Sequence, residues 1–237
     1  MKRLLLISAL LAAIAGCSSS DPIASASQYS NLSGGQSAGD STSFYWLTKK
    51  LGKPHTAADF VTSGDYGSYS TDYRWDDGVL RELVRQGFRL QSPVGSENNP
   101  LIPYRVHIRF SASGEAVYQQ YRLDGKVRPL STNNITRYQQ EALSLYDIVN
   151  DQHDDNLELI QGYWDGETFE TCNGREFQQL EFNQTLPSFV VNRLSSVDNY
   201  VALLGTKEAK KVSVSELLML SDDNYDCVKR PSWIETE

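Results

Sequence analysis

The sequence is short of the residues that most redox, metal and nucleophilic chemistry draws on. Its 237 residues include three Cys, three His and two Met. No two cysteines are spaced as C-x-x-C, which removes the usual redox and zinc-ribbon patterns. Cations are scarce as well: 22 Lys plus Arg face 30 Asp plus Glu, for a net charge of −8 and a pI near 5.0. That balance argues against a nucleic-acid partner, because phosphate binding needs clustered positive charge. Long apolar runs are missing except at the N-terminus, and that one is too short for a spanning helix in a mature protein. What remains is ordinary. Hydrophobic residues at 40% and charged ones at 22% describe a globular chain of one or two domains.

The N-terminal run reads as an address. Met1-Lys2-Arg3 is basic, Leu4 to Ala15 is apolar, and Ile14-Ala15-Gly16-Cys17 follows the pattern of a bacterial lipoprotein signal. Residues 1–16 are expected to be cleaved and Cys17 to carry lipid. A plain secretory signal cut after Ala15 or Gly16 is the alternative. By resemblance to such lipoproteins, retention in the inner membrane asks for Asp after the lipidated cysteine. Ser18 therefore predicts the outer membrane, with the body on the periplasmic face. Residues 17–43 hold ten Ser and three Gly and read as a flexible tether, with a reach of roughly 25–30 Å. Loss of Lys2 and Arg3 with the signal takes the net charge from −8 to −10. The expected membrane link is thus the lipid and not a basic protein face.

If Cys17 carries lipid, Cys172 and Cys227 remain. An even pair in an oxidising compartment predicts one disulfide.

The rest divides into two halves, 44–155 and 156–237, and predicts a mainly β, α+β fold. Phe44-Tyr45-Trp46-Leu47 marks the expected start of folded structure. Residues 58–130 read as an antiparallel meander. Its clearest strand is Tyr104 to Phe110, where Tyr104, Val106, Ile108 and Phe110 alternate with polar residues. Asp76-Asp77-Gly78 and Asp124-Gly125 are turn signals, and Val79 to Gly87 reads as a strand. Ile135, Tyr138, Ala142, Leu145 and Val149 form one apolar helical stripe, capped by Asn133 or Asn134 and ended by a hinge at His153 to Asn156. The second half predicts a small, partly open, oligonucleotide/oligosaccharide-type barrel of five strands. These are Leu157–Trp164, Thr168–Thr171, Arg175–Phe182, Tyr200–Leu204 and Val212–Leu220, with a short helix over Leu186–Leu194.

Three stretches carry a resemblance: LRELVRQG at Leu80 to Gly87, RVHIRFSASGEAVYQQ at Arg105 to Gln120, and IQGYWDGETFETCNGREF at Ile160 to Phe177. With the lipoprotein-type signal, they resemble an uncharacterised group of gamma-proteobacterial lipoproteins, the YjaH-like group. The resemblance implies the address and the fold, and no activity. The third stretch is also similar to the barrel modules of copper-response envelope lipoproteins, but without their C-x-x-C pair it implies no copper or redox sensing here.

Few residues nominate themselves for chemistry. His107 lies on the polar side of its strand between Arg105 and Arg109 and reads as a surface residue. Asp151-Gln152-His153-Asp154-Asp155 surrounds an imidazole with carboxylates and reads as a solvated connector, with a metal site as the alternative. Asp222, Asn224 and Asp226 mimic the start of a calcium loop, but Cys227 and Trp233 stand where Gly and Glu are needed. No metal, cofactor or catalytic residue is assigned. Tyr66, Tyr69, Tyr73 and Trp75 are the candidate lining of a ligand groove; as aromatics in a strand they also read as ordinary sheet residues. The leading expectation is a non-enzymatic binding or structural module of the cell envelope, with an envelope protein or glycan as partner. An envelope hydrolase is the second reading. A lipid or lipoprotein carrier, with a cup lined by Val106, Ile108 and Leu123, is the third.

Overall fold

The computed structural model describes residues 28–92 and 99–235. The proposed signal, Cys17 and Ser18 lie outside the described residues. The chain runs through β1 (Tyr29–Ala38), β2 (Ser41–Lys50), β3 (Lys53–Thr62), β4 (Gly67–Asp76), β5 (Val79–Leu90), β6 (Leu101–Phe110), β7 (Ala116–Leu123) and β8 (Lys126–Arg128). These eight strands form one antiparallel sheet in chain order. Leu51-Gly52, Asp77-Gly78 and Asp124-Gly125 each place two successive residues at positive φ. That is the mirror-image turn whose twist matches flanking strands.

Helix α1 (Thr132–Asp154) lies across one face of this sheet. Its stripe of Tyr138, Ala142, Leu145 and Val149 joins Tyr45, Leu47, Tyr73, Trp75, Leu83, Val106, Ile108 and Phe110 in a single core. The helix is capped by Ser131, whose Oγ accepts from Asn134 N–H at 3.3 Å, and not by Asn133 or Asn134. It also continues through His153 to Asp154, so the expected hinge is a helix end. Asn156 at φ +60° then turns the chain straight into the next strand.

The second sheet contains β9 (Glu158–Trp164), β10 (Phe169–Thr171), β11 (Glu176–Phe177), β12 (Gln179–Phe182), β13 (Asn199–Lys207) and β14 (Lys211–Asp222) in the order β11-β10-β9-β13-β14-β12. It is nearly closed and barrel-like, as the pattern of turns predicts. It has six strands where five were expected, because Arg175 to Phe182 divides into β11 and β12, and β12 joins β14 in parallel. Helix α2 (Ser188–Ser196) follows Pro187, which sits at its cap rather than in its first turn.

β13 is buried on both faces. Val201 and Leu203 enter a core with Ile160, Phe169, Phe177 and, from α2, Val190 and Leu194. Tyr200, Ala202 and Leu204 enter another with Phe44 of β2, Leu159 and Leu218. The layers are therefore α1, first sheet, second sheet and α2.

The expected tether is overturned as well. Folded structure begins at β1, not at Phe44, so residues 29–43 are strand and turn rather than tether. The reason lies in Gly34 and Gly35. A side chain at Gly34 would collide with Gln152 of α1, and one at Gly35 would meet Leu218 of β14 and the Ser43 carbonyl, each at 2.7 Å. The glycines let β1 run through the narrow seam where helix and both sheets meet.

Candidate functional site

The polar centre of the molecule is Arg85 of β5, which shares a face with Leu83 and is buried between the sheet and α1. Its Nε donates to Thr71 Oγ1 at 2.7 Å and its NH2 to the Tyr73 hydroxyl at 3.3 Å. The same nitrogen makes ion pairs with Glu141 of α1 at 2.8 Å and Asp59 of β3 at 3.7 Å. The guanidinium lies 4.0 Å from the Tyr69 ring centroid and 4.9 Å from that of Tyr138. Tyr73 donates to Asp59 Oδ2 at 2.7 Å. Burial pushes the Asp59 carboxyl above its ordinary range, against the opposing pull of Arg85 and of the Thr71 and Tyr73 hydroxyls. Burial and the neighbouring Asp59 charge push the Tyr73 hydroxyl well up, so it remains a proton donor. Apart from Glu141, whose side chain reaches solvent, these groups are closed in by the core, and their chemistry is that of a latch: they tie β3, β4 and β5 to α1.

A second cluster occupies the other face of the sheet, on β4, β5 and β6. Glu82 accepts from His107 Nε2 at 2.7 Å, Arg109 Nε at 2.9 Å and Arg74 NH2 at 3.1 Å. Burial works against its charge, but those three hydrogen bonds outweigh it and hold the carboxyl at about 2. A carboxylate held so firmly ionised has no proton to give near neutral pH. His107, read from sequence as a surface residue, is a partner in this cluster and packs edge-on to Tyr118.

The four aromatic groove candidates do not form an open groove. Tyr69, Tyr73 and Trp75 alternate along β4 on the face toward α1, where Tyr73 and Trp75 are fully enclosed in the core. Only Tyr66, in the short turn of Gly64–Tyr66, is exposed. The period-two register of the strand turned these side chains inward. The cup expected of a carrier is also filled: Val106 and Ile108 are buried in the core that α1 completes.

Cys172 and Cys227 are joined in a disulfide. It staples the turn after β10 to the C-terminal segment, which continues across the first sheet. Arg230 donates to Thr48 and Thr56 at 2.8 and 2.7 Å, and Asp72 Oδ2 accepts from the main-chain N–H groups of Trp233 and Ile234 at 2.8 and 2.9 Å. Asp222 is engaged by Arg193 at 2.6 Å, which takes the first position of the calcium-like run. Among the described residues there is no group of three or more metal-ligating side chains, and no helix is long and apolar enough to cross a membrane.

A serine in the supposed tether escaped the sequence reading. Gly35-Gln36-Ser37-Ala38-Gly39 has the spacing of a nucleophile elbow. That motif needs a strand-to-helix turn, whereas this segment ends β1 and turns into β2. The Ser37 N–H donates to Glu216 at 3.2 Å.

Two of the surface clefts stand out by their lining. A cleft of about 520 Å³ lies at the end of β2 to β4, lined by Lys50, Lys53, His55, Arg74 and Asp76 among others. Burial, then Lys50 and Arg74, push His55 below its ordinary value, so it is neutral at pH 7. A smaller apolar groove of about 290 Å³ opens between α2 and the second sheet, where Trp164, Leu180, Phe182 and Leu194 meet Val191. Phe189, 71% exposed, stands on the same helix.

No curated protein and no solved structure matches the chain. The sequence profile of a family described as "Protein of unknown function (DUF1481)" matches residues 33–232, and the chain therefore belongs to the DUF1481 family.

Proposed function

We propose that this protein is an outer-membrane lipoprotein, anchored through lipid on Cys17 with its folded body on the periplasmic face, and that it serves the cell envelope as a non-enzymatic binding or structural module. The observation that carries this reading is how the cysteines are used. Cys172 and Cys227 are bonded to each other, which leaves Cys17, behind a basic and apolar leader, as the one cysteine outside the bond. A buried-core protein with a structural disulfide suits an oxidising compartment. The resemblance to YjaH-like gamma-proteobacterial lipoproteins fits the same address. The groove beside α2 and its exposed Phe189 support binding of an envelope protein or glycan.

The test is mass spectrometry of the native protein recovered from membranes. The expected product begins at Cys17, carries diacylglycerol and acyl mass, and contains no free thiol. Cys17→Ser should leave the body in the soluble fraction. A native chain that begins at Met1 with an unmodified Cys17 would overturn the proposal.

A further inference from the structure

The two margins of the eight-strand sheet are finished differently. At β1 the outward main-chain groups meet side chains. Gly35 N–H donates to Gln152 Oε1 at 3.0 Å, Gly35 C=O accepts from Gln152 Nε2 at 2.7 Å, and Ser37 N–H donates to Glu216. Covering an edge in this way denies it to other strands. The opposite margin has only the three residues of β8, which pair with Tyr121, Arg122 and Leu123. Pro129 follows and has no N–H to continue the ladder. The first five residues of β7, Ala116 to Gln120, pair with β6 on one side and with no strand on the other among the described residues. Leu123 and Lys126 close the two-residue hairpin, so alternation aims the main-chain groups of Tyr121 and Gln119 outward. Tyr121 meets Arg128. Gln119 has no strand opposite it among the described residues.

Three exposed apolar side chains gather at this margin. Val117 is 68% exposed, Tyr118 42% and, across the hairpin, Val127 65%. A cleft of about 320 Å³ opens between Tyr118–Tyr121 and Val127–Leu130, where β8 leaves the edge. The charge is also of the opposite sign to the rest of the chain. Leu101 to Leu130 carries five Lys and Arg against two acids. Arg105, Arg122, Lys126 and Arg128 are in none of the ion pairs among the described residues.

We propose that the outer edge of β7 is a strand-addition site for an extended, acidic segment of a partner protein. Main-chain hydrogen bonds along Ala116–Gln120 give the pairing, the cleft takes an apolar side chain, and Lys126 and Arg128, which share one face, receive carboxylates. A second copy is disfavoured, because edge-to-edge pairing would bring two cationic rows together. Lys126, Arg128 and Pro129 guard the margin at β8, but Ala116–Gln120 lies beyond them. This deepens the binding-module reading above and does not need lipid on Cys17, so the two can fail separately.

The test uses the purified full chain and a fluorescein-labelled peptide of alternating Glu and Val, seven residues long. Fluorescence anisotropy gives affinity, and amide NMR shifts locate the site. Expected results are saturable binding, shifts centred on Ala116–Gln120, and an affinity about tenfold lower for the surface double variant K126E/R128E. The same peptide with alternate amides N-methylated keeps its charge and cannot pair as a strand; it should also bind about tenfold more weakly. The idea is overturned if no binding is seen up to millimolar peptide, if the methylated peptide binds equally well, if the shifts fall elsewhere, or if the chain alone dimerises through β7.

Discussion

Arg85→Met probes how the helix is held on the sheet. The change removes the guanidinium that meets Thr71, Tyr73, Asp59 and Glu141. An unbranched apolar side chain remains, so most of the packing volume survives. Asp59 then stays in the core with hydroxyl partners and no cation. Taking one partner from a buried ion pair costs about 3–5 kcal/mol. For a body of this size that lowers Tm by about 6–20 °C. The loss should depend on pH in a defined direction. Asp59 is already raised above 3.8 by burial, and without Arg85 it rises further. An acid raised on folding stabilises the fold below its unfolded pKa, and that contribution is lost as pH rises through the folded value. The deficit of the variant relative to the parent should therefore shrink as pH falls from 7 toward 4. Denaturant unfolding at several pH values reads this directly. Adding Asp59→Asn to the variant should restore part of the stability, while the same change alone in the parent should destabilise. A loss under about 1 kcal/mol at pH 7, or simple additivity of the two changes, would refute the latch.

Two further outcomes follow from the same geometry. Glu82, held at about 2 against an ordinary 4.5, contributes stability that is present above 4.5 and lost as pH falls toward 2; Glu82→Gln should flatten the acid limb of the unfolding profile over that window, and an unchanged limb would show that its three partners do not act on folding. Opening the Cys172–Cys227 bond, which closes a separation of 55 residues, should cost about 4 kcal/mol in the chain-entropy account, so oxidised and reduced protein with equal denaturation midpoints would contradict it.

Local pattern made much of the architecture legible. The alternation of Tyr104 to Phe110, the stripe from Ile135 to Val149 and the Asp-Gly turns each settle a local conformation that the tertiary structure keeps. The pairing of Cys172 with Cys227 followed from counting. β1 was hidden because Ser and Gly in Tyr29–Ala38 look like a linker by composition. The need for Gly34 and Gly35 comes from Gln152 and Leu218, more than a hundred residues away, and no local window contains that constraint. Arg85 left a signal that went unused. In Leu83-Val84-Arg85 it occupies the same register as a core leucine, so a strand there must turn the charge inward. The aromatic groove failed for the matching reason: Tyr69, Tyr73 and Trp75 keep that period, and the face they share is the one α1 covers.

The seam at β1 sets the order in which a newly made chain can mature. β1 is the first strand along the chain, yet the surface behind it is completed only by β13 and β14, which end at Asp222. Without those strands the first sheet would present Phe44, Trp46 and Phe60 to water. Contacts of such long sequence separation are slow to form, and nascent sheets with naked apolar faces associate with one another. The first sheet is thus left incomplete by any loss at the far end of the chain, and truncation there should be far more damaging than its distance from the first strand suggests.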